Sequence, residues 1–359
     1  MAATAKRLVL LSVLGQLQLL ILVTYAIPNT NLGRLRDLPL HVSTKKASFS
    51  ESCELGPCRP RSGDLLIGRE HQLSATSTCG SRFLPERYCS FKSRGDQDDD
   101  CSNVCDTCDS DVNHTIRNIV NYKDGRNKDL WWQSENGVEE VSITLELESH
   151  FEMSQLFMRF ASPRPAAMLI EKSDNFGRSW RVYQYFARNC SQSFPGIPTG
   201  PRKSLADVIC LSKYSSLEPI SNGEVIYRVL PTGTGINGNS SKELFQKLRL
   251  TNLRINFTEF QRTWLEPQKM YYAVKSMTIR GVCSCNGHAS KCLPVDDSTT
   301  TTTTTTMTNA SSWDTVGGSC ACEHNTAGQN CERCKHGYYP DHLLKMSHPQ
   351  ACRRGFFLM

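Results

Sequence analysis

The stretch VSITLELE, residues 141–148, alternates apolar and polar side chains without a break. Successive side chains of a β-strand point to opposite faces, so this pattern predicts a strand with one buried face and one solvent-exposed face. Similar segments follow, separated by turns of Gly, Pro, Asn and Ser. We predict strands at residues 141–148, 156–160, 168–170, 180–186, 225–230, 248–257 and 271–279, and a helix at residues 242–248 only.

Many strands joined by turns indicate an all-β fold. We predict an antiparallel β-sandwich (jelly roll) for the central part of the chain. Trp131, Trp132 and Trp180 are then expected to pack in its core or at its edges rather than to bind sugar.

Cysteine clusters lie on both sides of the predicted strands. Of the 17 cysteines, seven fall at residues 53–108 and eight at residues 283–352, where the apolar content collapses. A segment so poor in core residues needs cross-links to hold a shape. The densest cluster, CSCNGHASKC at residues 283–292, is open to three readings until the compartment is known: metal binding, redox chemistry or disulfides.

The N-terminus indicates the secretory route. A basic start precedes an apolar run at residues 8–23, and Thr24 and Ala26 are small residues that suit signal-peptidase cleavage. The alternative is a retained signal anchor, but the run is shorter than the about 20 apolar residues of a membrane span and contains two glutamines. We therefore predict a cleaved signal peptide at residues 1–26 and no membrane-spanning segment after it.

The secretory compartment favours disulfides over free thiols. A zinc site built from cysteines needs thiolates that stay reduced. CERC at residues 331–334 matches a redox C-x-x-C, but no strand–helix unit of the thioredoxin type surrounds it. The cysteines are therefore predicted to be structural cross-links.

Charge and motifs argue against several functional classes. The net charge of +6 is spread along the chain without a basic run, so we expect no nucleic-acid partner. Without a G-x-S-x-G or H-E-x-x-H motif or a carboxylate pair, we expect no catalytic residue, no cofactor and no enzyme activity. The G-x-G-x-x-G motif at residues 233–238 resembles a dinucleotide-binding loop, but no second βαβ unit follows it in the sequence. We interpret it as a surface loop. His288 and His324, in cysteine-rich turns, are expected to make hydrogen bonds.

Several long motifs resemble one family. WWQSENGVEEVSITLELESHF (residues 131–151) and RPAAMLIEKSDNFGRSWRVYQYFARNC (residues 164–190) resemble the N-terminal LN domain of laminin β chains. CSCNGHASKC, followed by CACEHNTAGQNCERC (residues 320–334), is similar to a laminin-type EGF-like (LE) module. The resemblance covers residues 53–352.

The resemblance implies a domain layout and a disulfide pattern. A flexible lead-in at residues 27–52 is followed by an LN domain at 53–282, an LE module at 283–352 and a tail at 353–359. Spacing alone leaves the pairing of the eight module cysteines open. The family pattern implies the pairs Cys283–Cys292, Cys285–Cys320, Cys322–Cys331 and Cys334–Cys352.

A threonine-rich insertion at residues 298–308 lies between the third and fourth of these cysteines. It is either a mucin-like O-glycosylated loop or an expanded repeat in a tolerant position.

The chain also departs from the family. It is truncated relative to a full laminin β subunit, which continues through more LE modules into a coiled coil, so it is either a natural short form or a truncated transcript. Residues 53–210 hold nine cysteines, an odd count. The cluster Cys101, Cys105 and Cys108 is expected to carry the surplus cysteine, as a free thiol or in an intermolecular disulfide.

Two loops suggest ligands. Arg94, Gly95 and Asp96 form an RGD tripeptide in a polar loop, which is either an integrin ligand or a chance occurrence. Some LN domains hold calcium before the Trp-Gln-Ser stretch, where this chain offers Asp124 and Asp129. Basic residues surround both, so no metal site is predicted.

The sequons of a secreted surface are also present. They begin at Asn113, Asn189, Asn239, Asn256 and Asn309.

The resemblance implies a secreted protein of the extracellular matrix and basement membrane. The expected partners are the LN domains of laminin α and γ chains, with integrins or other cell-surface receptors as further candidates. The alternative is a diffusible, netrin-like ligand of a receptor. A third class, a secreted lectin-like sandwich or hydrolase, has no residue in its favour.

Overall fold

The computed structural model describes residues 53–81, 85–90, 105–108, 114–122, 125, 127, 129–230, 241–262, 267–295 and 315–355. The chain divides into two compact units, Met1–Ser48 and Phe49–Met359, and all of these residues belong to the second. Some predicted features lie outside the described residues. They are the signal peptide, the lead-in, the RGD tripeptide, the G-x-G-x-x-G loop and the threonine-rich insertion.

Strands are the main elements. They are β1 (Gly63–Asp64), β2 (Leu73–Ala75), β3 (Glu86–Cys89), β4 (Cys105–Cys108), β5 (Trp132–Gln133), β6 (Val141–Phe160), β7 (Ala167–Ser173), β8 (Arg181–Ala187), β9 (Cys210–Leu211), β10 (Glu224–Arg228), β11 (Arg249–Glu259), β12 (Ala273–Cys283), β13 (Cys292–Leu293), β14 (Ser319–Cys320), β15 (Thr326–Ala327), β16 (Arg333–Cys334), β17 (Tyr338–Pro340) and β18 (Cys352–Arg354). Among the described residues, the helices are α1 (Cys190–Ser193) and α2 (Ser241–Leu248). α2 matches the predicted helix, whereas the single turn α1 was not predicted. Short 3-10 turns lie at Cys53–Leu55, Glu70–Gln72, Ile116–Ile119 and Pro267–Lys269.

Strand β6 organises the sandwich. Its first half pairs with β2 and β11, and its second half pairs with β10 and β12, all antiparallel. From β11 the ladder continues through β7 and β8 to β9, and from β12 it continues to β1 and β5. The two halves of one strand therefore belong to the two layers. The fold is the predicted antiparallel β-sandwich, and its hydrogen-bonded ladder is continuous through β6.

β6 is longer than the sequence pattern indicates. We predict separate strands at residues 141–148 and 156–160, whereas β6 runs unbroken for 20 residues. Polar Ser149 occupies a position where the alternation calls for an apolar residue, and the alternation changes phase between Met153 and Leu156. Ser149 is nevertheless buried, because its hydroxyl donates to the carbonyl oxygen of Gly318 at 2.7 Å. A distant loop thus satisfies a polar group on the buried face and lets the strand continue.

Aromatic side chains fill one end of the core. Trp132 has no exposed surface, and its ring centroid lies 6.3 Å from that of Phe257. Phe257 also contacts Phe160 and Tyr272, at centroid distances of 5.7 and 4.9 Å. Truncating a buried ring of this size to alanine destabilises a domain by about 3–5 kcal/mol, so this cluster is a main source of the stability of the sandwich. Trp132 fulfils the expected core role.

In the part of the chain that the structure describes, no helix combines the length and the apolar character needed to cross a membrane.

Candidate functional site at the junction of two domains

Residues 283–352, the cysteine-rich module, are held by four disulfides. They join Cys283 to Cys292, Cys285 to Cys320, Cys322 to Cys331, and Cys334 to Cys352. These are the four pairs that the resemblance implies. The module also contains three short antiparallel two-stranded sheets, β13–β14, β15–β16 and β17–β18. The sulfurs of Cys283, Cys285 and Cys320 lie close together, but each belongs to a disulfide and therefore offers no thiolate to a metal ion.

The sandwich has four disulfides of its own. They join Cys53 to Cys58, Cys79 to Cys108, Cys89 to Cys105, and Cys190 to Cys210. Of the expected surplus cluster, Cys105 and Cys108 are therefore paired. Cys101 is the cysteine not used by the eight disulfides, and it lies outside the described residues.

Arg69 forms the centre of the contact between the sandwich and the cysteine-rich module. It is 6% exposed, and its guanidinium lies 4.8 Å from the ring centroid of Phe151. Nη2 donates to Glu148 Oε1 at 2.5 Å and to the carbonyl oxygen of Val316, in the module, at 2.7 Å. Burial raises the pKa of Glu148, but the hydrogen bonds and charge of Arg69 outweigh it, and the net shift is downward. One buried cation therefore holds a strand of the sandwich and a loop of the module together.

The loop after the threonine-rich insertion fits tightly against the sandwich. A Cβ atom added to Gly318 would lie 2.1 Å from Glu148 Oε1, and one added to Gly317 would lie 2.0 Å from the carbonyl oxygen of Leu293. Asp64, on β1, forms a β-bridge with Thr315. The contact at Gly317 lies within the module, whereas Gly318 lets the loop approach the Glu148 side chain of the sandwich closely.

Polar contacts extend the junction on its other side. The hydroxyl of Ser284 donates to Glu152 Oε1 at 3.2 Å, and Asn330 Nδ2 donates to the carbonyl oxygen of His150 at 3.2 Å. Burial raises the pKa of Glu152, against the opposing charge of Arg59, whose Nη2 lies 2.7 Å from Glu152 Oε2. The junction thus contains hydrogen bonds and ion pairs as well as apolar contacts.

The N-terminal cystine loop, residues 53–58, also contacts the module. The amide of Cys58 donates to the carbonyl oxygen of Gly287 at 3.0 Å. His324 Nε2 donates to the carbonyl oxygen of Cys53 at 2.8 Å, as expected for a hydrogen-bonding histidine. Gly287 has φ +87°, a left-handed conformation that favours glycine.

The predicted glycosylation sites differ in environment. Asn189 is exposed at the start of α1. Asn256 is half-buried in β11, where its Nδ2 donates to Glu171 Oε2 at 2.6 Å and its Oδ1 accepts from the Ser142 hydroxyl at 2.6 Å. Asn113, Asn239 and Asn309 lie outside the described residues, as do Arg94, Gly95 and Asp96.

The segment considered for calcium borders a basic cleft. Asp129 is exposed, and Asp124 lies outside the described residues. A cleft of about 260 Å³ beside this segment is lined by Tyr122, Arg159 and Lys275, among others. Arg159 is paired with Glu224 at 2.7 Å, and the absence of a calcium site in this segment stays a prediction.

Two protein-family models match the chain in sequence order. The Laminin N-terminal (Domain VI) model matches residues 58–281, and the Laminin EGF domain model matches residues 283–352. The chain belongs to the laminin family. Its sandwich corresponds to the LN domain and its cysteine-rich module to an LE module, which confirms the resemblance found in the sequence.

Relatives in the laminin family cover both domains. Laminin subunit beta-1 of Mus musculus is 44% identical over 329 residues, which is 87% of this chain and 18% of the relative. Laminin subunit beta-4 of Danio rerio is 43% identical over 309 residues, 81% of this chain and 16% of the relative. Netrin-4 of Pongo abelii is 37% identical over 299 residues, 80% of this chain and 45% of the relative. The chain therefore spans less than a fifth of the length of these two laminin β subunits.

One solved structure with a loose likeness to this chain comes from a carbohydrate-binding protein. The carbohydrate-binding module CBM32-3 of a family 31 glycoside hydrolase from Clostridium perfringens covers 59% of this chain and 93% of its own, with 13% identity and a TM-score of 0.29. A likeness this weak carries no statement about function.

Proposed function

We propose that this chain is a secreted, non-enzymatic protein of the extracellular matrix and basement membrane, whose LN domain binds the LN domains of laminin α and γ chains. The observation that supports this most directly is the 44% identity to a laminin β-1 subunit across both domains. The resemblance to laminin β chains implies that LN domains of the three chain types meet at the nodes of the basement-membrane network.

The junction supports this proposal by limiting where a partner can bind. Arg69, Ser149 and Val316 are buried between the LN domain and the LE module, so this face of the sandwich is occupied. The LE module lies against this face. A partner LN domain therefore binds to another face, and the module acts as the stalk that carries the head.

A polymerisation assay tests the proposal. A polypeptide of residues 27–359 carries one LN domain, so it occupies a partner domain without linking it to a second one. Added in excess to laminin, it should lower the mass of laminin that sediments. A single contact has no help from multivalency, so the effect should depend on concentration and need a large molar excess.

The control is the same polypeptide after reduction and alkylation, which removes the disulfides and should abolish the effect. Unchanged sedimentation at every concentration of the folded polypeptide would reject binding to laminin LN domains.

The second candidate is a diffusible, netrin-like ligand, and the 37% identity to a netrin-4 favours keeping it. Such a ligand should bind receptor-bearing cells at low concentration. Two measurements distinguish the two proposals. Saturable binding to cells, together with no loss of sedimented laminin in the polymerisation assay, would support only the netrin-like function. Arg94, Gly95 and Asp96 extend either proposal to integrin-dependent adhesion.

A further inference from the structure

His288 and His324 face each other inside the LE module. Their Nδ1 atoms are 3.0 Å apart. The other ring nitrogen of each histidine lies on a backbone carbonyl, with His288 Nε2 on Met346 and His324 Nε2 on Cys53. His288 is fully buried, and His324 is half-buried. The pair thus links three separate parts of the chain: the loop at residues 53–58 of the LN domain, the first turns of the module and its last loop.

These contacts fix the number of protons on the pair. A carbonyl oxygen only accepts, so both Nε2 atoms must carry hydrogen. Two neutral rings would then direct two lone pairs at each other across 3.0 Å, and two charged rings would direct two N–H groups at each other. Both arrangements are repulsive. The contact is attractive only when one proton lies between the two Nδ1 atoms, so that one ring is neutral and the other is charged.

The surroundings decide which ring is neutral. Burial is the main influence on the pKa of His288 and lowers it. The Met346 carbonyl raises this pKa, whereas the charges of His324 and His348 lower it, and the net shift is downward. His288 is therefore the neutral acceptor, and His324 donates through Nδ1–H. The other charged or titratable residues on the surrounding segments are Glu54, Lys291, Glu323, Asp341, His342, Lys345 and His348.

A metal ion could satisfy the same two lone pairs. Among the described residues, however, the only groups of three or more potential ligands within reach of one another are built around cysteines of disulfides, and neither contains His288 or His324. A pair of histidines without a third ligand is a poor transition-metal site. The proton is therefore the better bridge.

We propose that His288 and His324 form a single-proton clasp, which holds the loop at residues 53–58 against the LE module within a limited pH range and releases it on either side. The number of protons bound in the closed and released states determines how the stability of the clasp changes with pH. An unfolded histidine has a pKa of about 6.5, so the released state binds fewer protons than the closed pair above that pH and more below it. The clasp is therefore tightest near pH 6.5 and weakens in both directions.

Histidine NMR tests the proton count on the unmodified chain. Long-range ¹H–¹⁵N spectra of residues 27–359 near pH 6.5 should show a neutral His288 that is protonated at Nε2 and a His324 that is protonated at both nitrogens. The two rings should titrate together. Two neutral rings, or two independent titrations, would overturn the proposal. The spectra should not change when a chelator is added, and a chelator-sensitive signal from either ring would also overturn it by identifying a metal ion.

Hydrogen exchange tests the release. The amide of Cys58, corrected for intrinsic exchange, should lose protection above pH 6.5 by a factor approaching about tenfold per pH unit, because opening releases one proton. In His324→Gln this pH dependence should disappear, since an amide does not titrate. His342→Gln, at an exposed histidine, is the matched control and should behave like the unmodified chain. The same pH dependence in His324→Gln would reject the clasp.

Discussion

The guanidinium of Arg69 and the carboxylate of Glu148 form three hydrogen bonds, with donor–acceptor distances of 2.5, 2.9 and 3.2 Å. The same guanidinium donates to the carbonyl oxygen of Val316 in the LE module. Because both interactions depend on one side chain, the packing of the sandwich and the docking of the module are coupled through Arg69.

Arg69→Met should therefore destabilise the protein strongly. Removing one partner of a buried ion pair leaves the other charge unpaired and costs about 3–5 kcal/mol, of which we expect the lower end because Glu148 is partly exposed. Urea denaturation measures the loss. Arg262→Met is the control, because its pair with Glu139 is exposed and should contribute less than about 1 kcal/mol. Equal effects of the two variants would contradict the role of Arg69.

The buried Lys172 should make stability depend on pH in the alkaline range. Its ammonium donates to the carbonyl oxygens of Gln246 and Lys247 in α2 and of Arg249 at the start of β11. Burial lowers its pKa from 10.5 to about 8. Between these values the unfolded chain binds more protons than the folded one, so the free energy of unfolding should rise with pH.

Lys172→Met should reduce this rise without removing it, because burial also lowers the pKa of Lys247 to about 8. Denaturation curves near pH 8 and pH 10 measure the difference. The exposed Lys242→Met is the control. A rise of the same size in Lys172→Met and in the unmodified chain would show that Lys172 is not its source.

Disulfide mapping should recover the four pairs of the LE module. Mass spectrometry of non-reduced peptides should find the disulfides Cys283–Cys292, Cys285–Cys320, Cys322–Cys331 and Cys334–Cys352. Reduction should unfold the module, since losing a native disulfide in a small secreted domain costs about 2–5 kcal/mol. Zinc in the purified protein together with free thiols at Cys283 and Cys285 would contradict the structural role of these cysteines.

Glycan occupancy should be higher at Asn189 than at Asn256. Asn189 is exposed, whereas a glycan on Asn256 would attach to the nitrogen that donates to Glu171 in a central strand. Glycopeptide mass spectrometry measures the occupancy of both sites. Full occupancy of Asn256 with an unmodified Asn189 would show that local packing does not decide the outcome.

The RGD tripeptide predicts a specific adhesion phenotype. If Asp96 binds an integrin metal ion, Asp96→Glu should abolish cell adhesion without changing thermal stability, because the added methylene displaces the carboxylate. Asp100→Glu, four residues after Asp96 in the sequence, is the control and should adhere normally. Adhesion that survives Asp96→Glu would exclude this tripeptide as the ligand.

The sequence predicted the fold class because alternation and turn residues act locally. Helix α2 and most of the central strands lie where periodicity places them. The continuity of β6 was missed, because the group that satisfies Ser149 is the carbonyl of Gly318, 169 residues away. Periodicity carries no information about such a partner.

The junction could be anticipated only in part. The family resemblance implied the same four LE disulfides that the structure contains. Arg69 carries no local signal, since its partners Glu148 and Val316 lie in remote segments. The contact between the Nδ1 atoms of His288 and His324 could not be predicted for the same reason, although both residues were expected to make hydrogen bonds. A contact between side chains of remote segments depends on the tertiary packing of the sandwich against the module, which no local sequence pattern encodes.

The way β12 ends has a mechanical consequence. β12 pairs with β6 from Val274 to Cys283, and Cys283 is also the first cysteine of the LE module. A tensile load applied to Cys283 in the direction of β12 would therefore act along the β6–β12 ladder. Ladder hydrogen bonds lie across the strands, so such a load shears the whole β6–β12 pairing at once instead of opening it one bond at a time. The strand that leads into the first cysteine of the LE module is therefore held along its length by its pairing with β6.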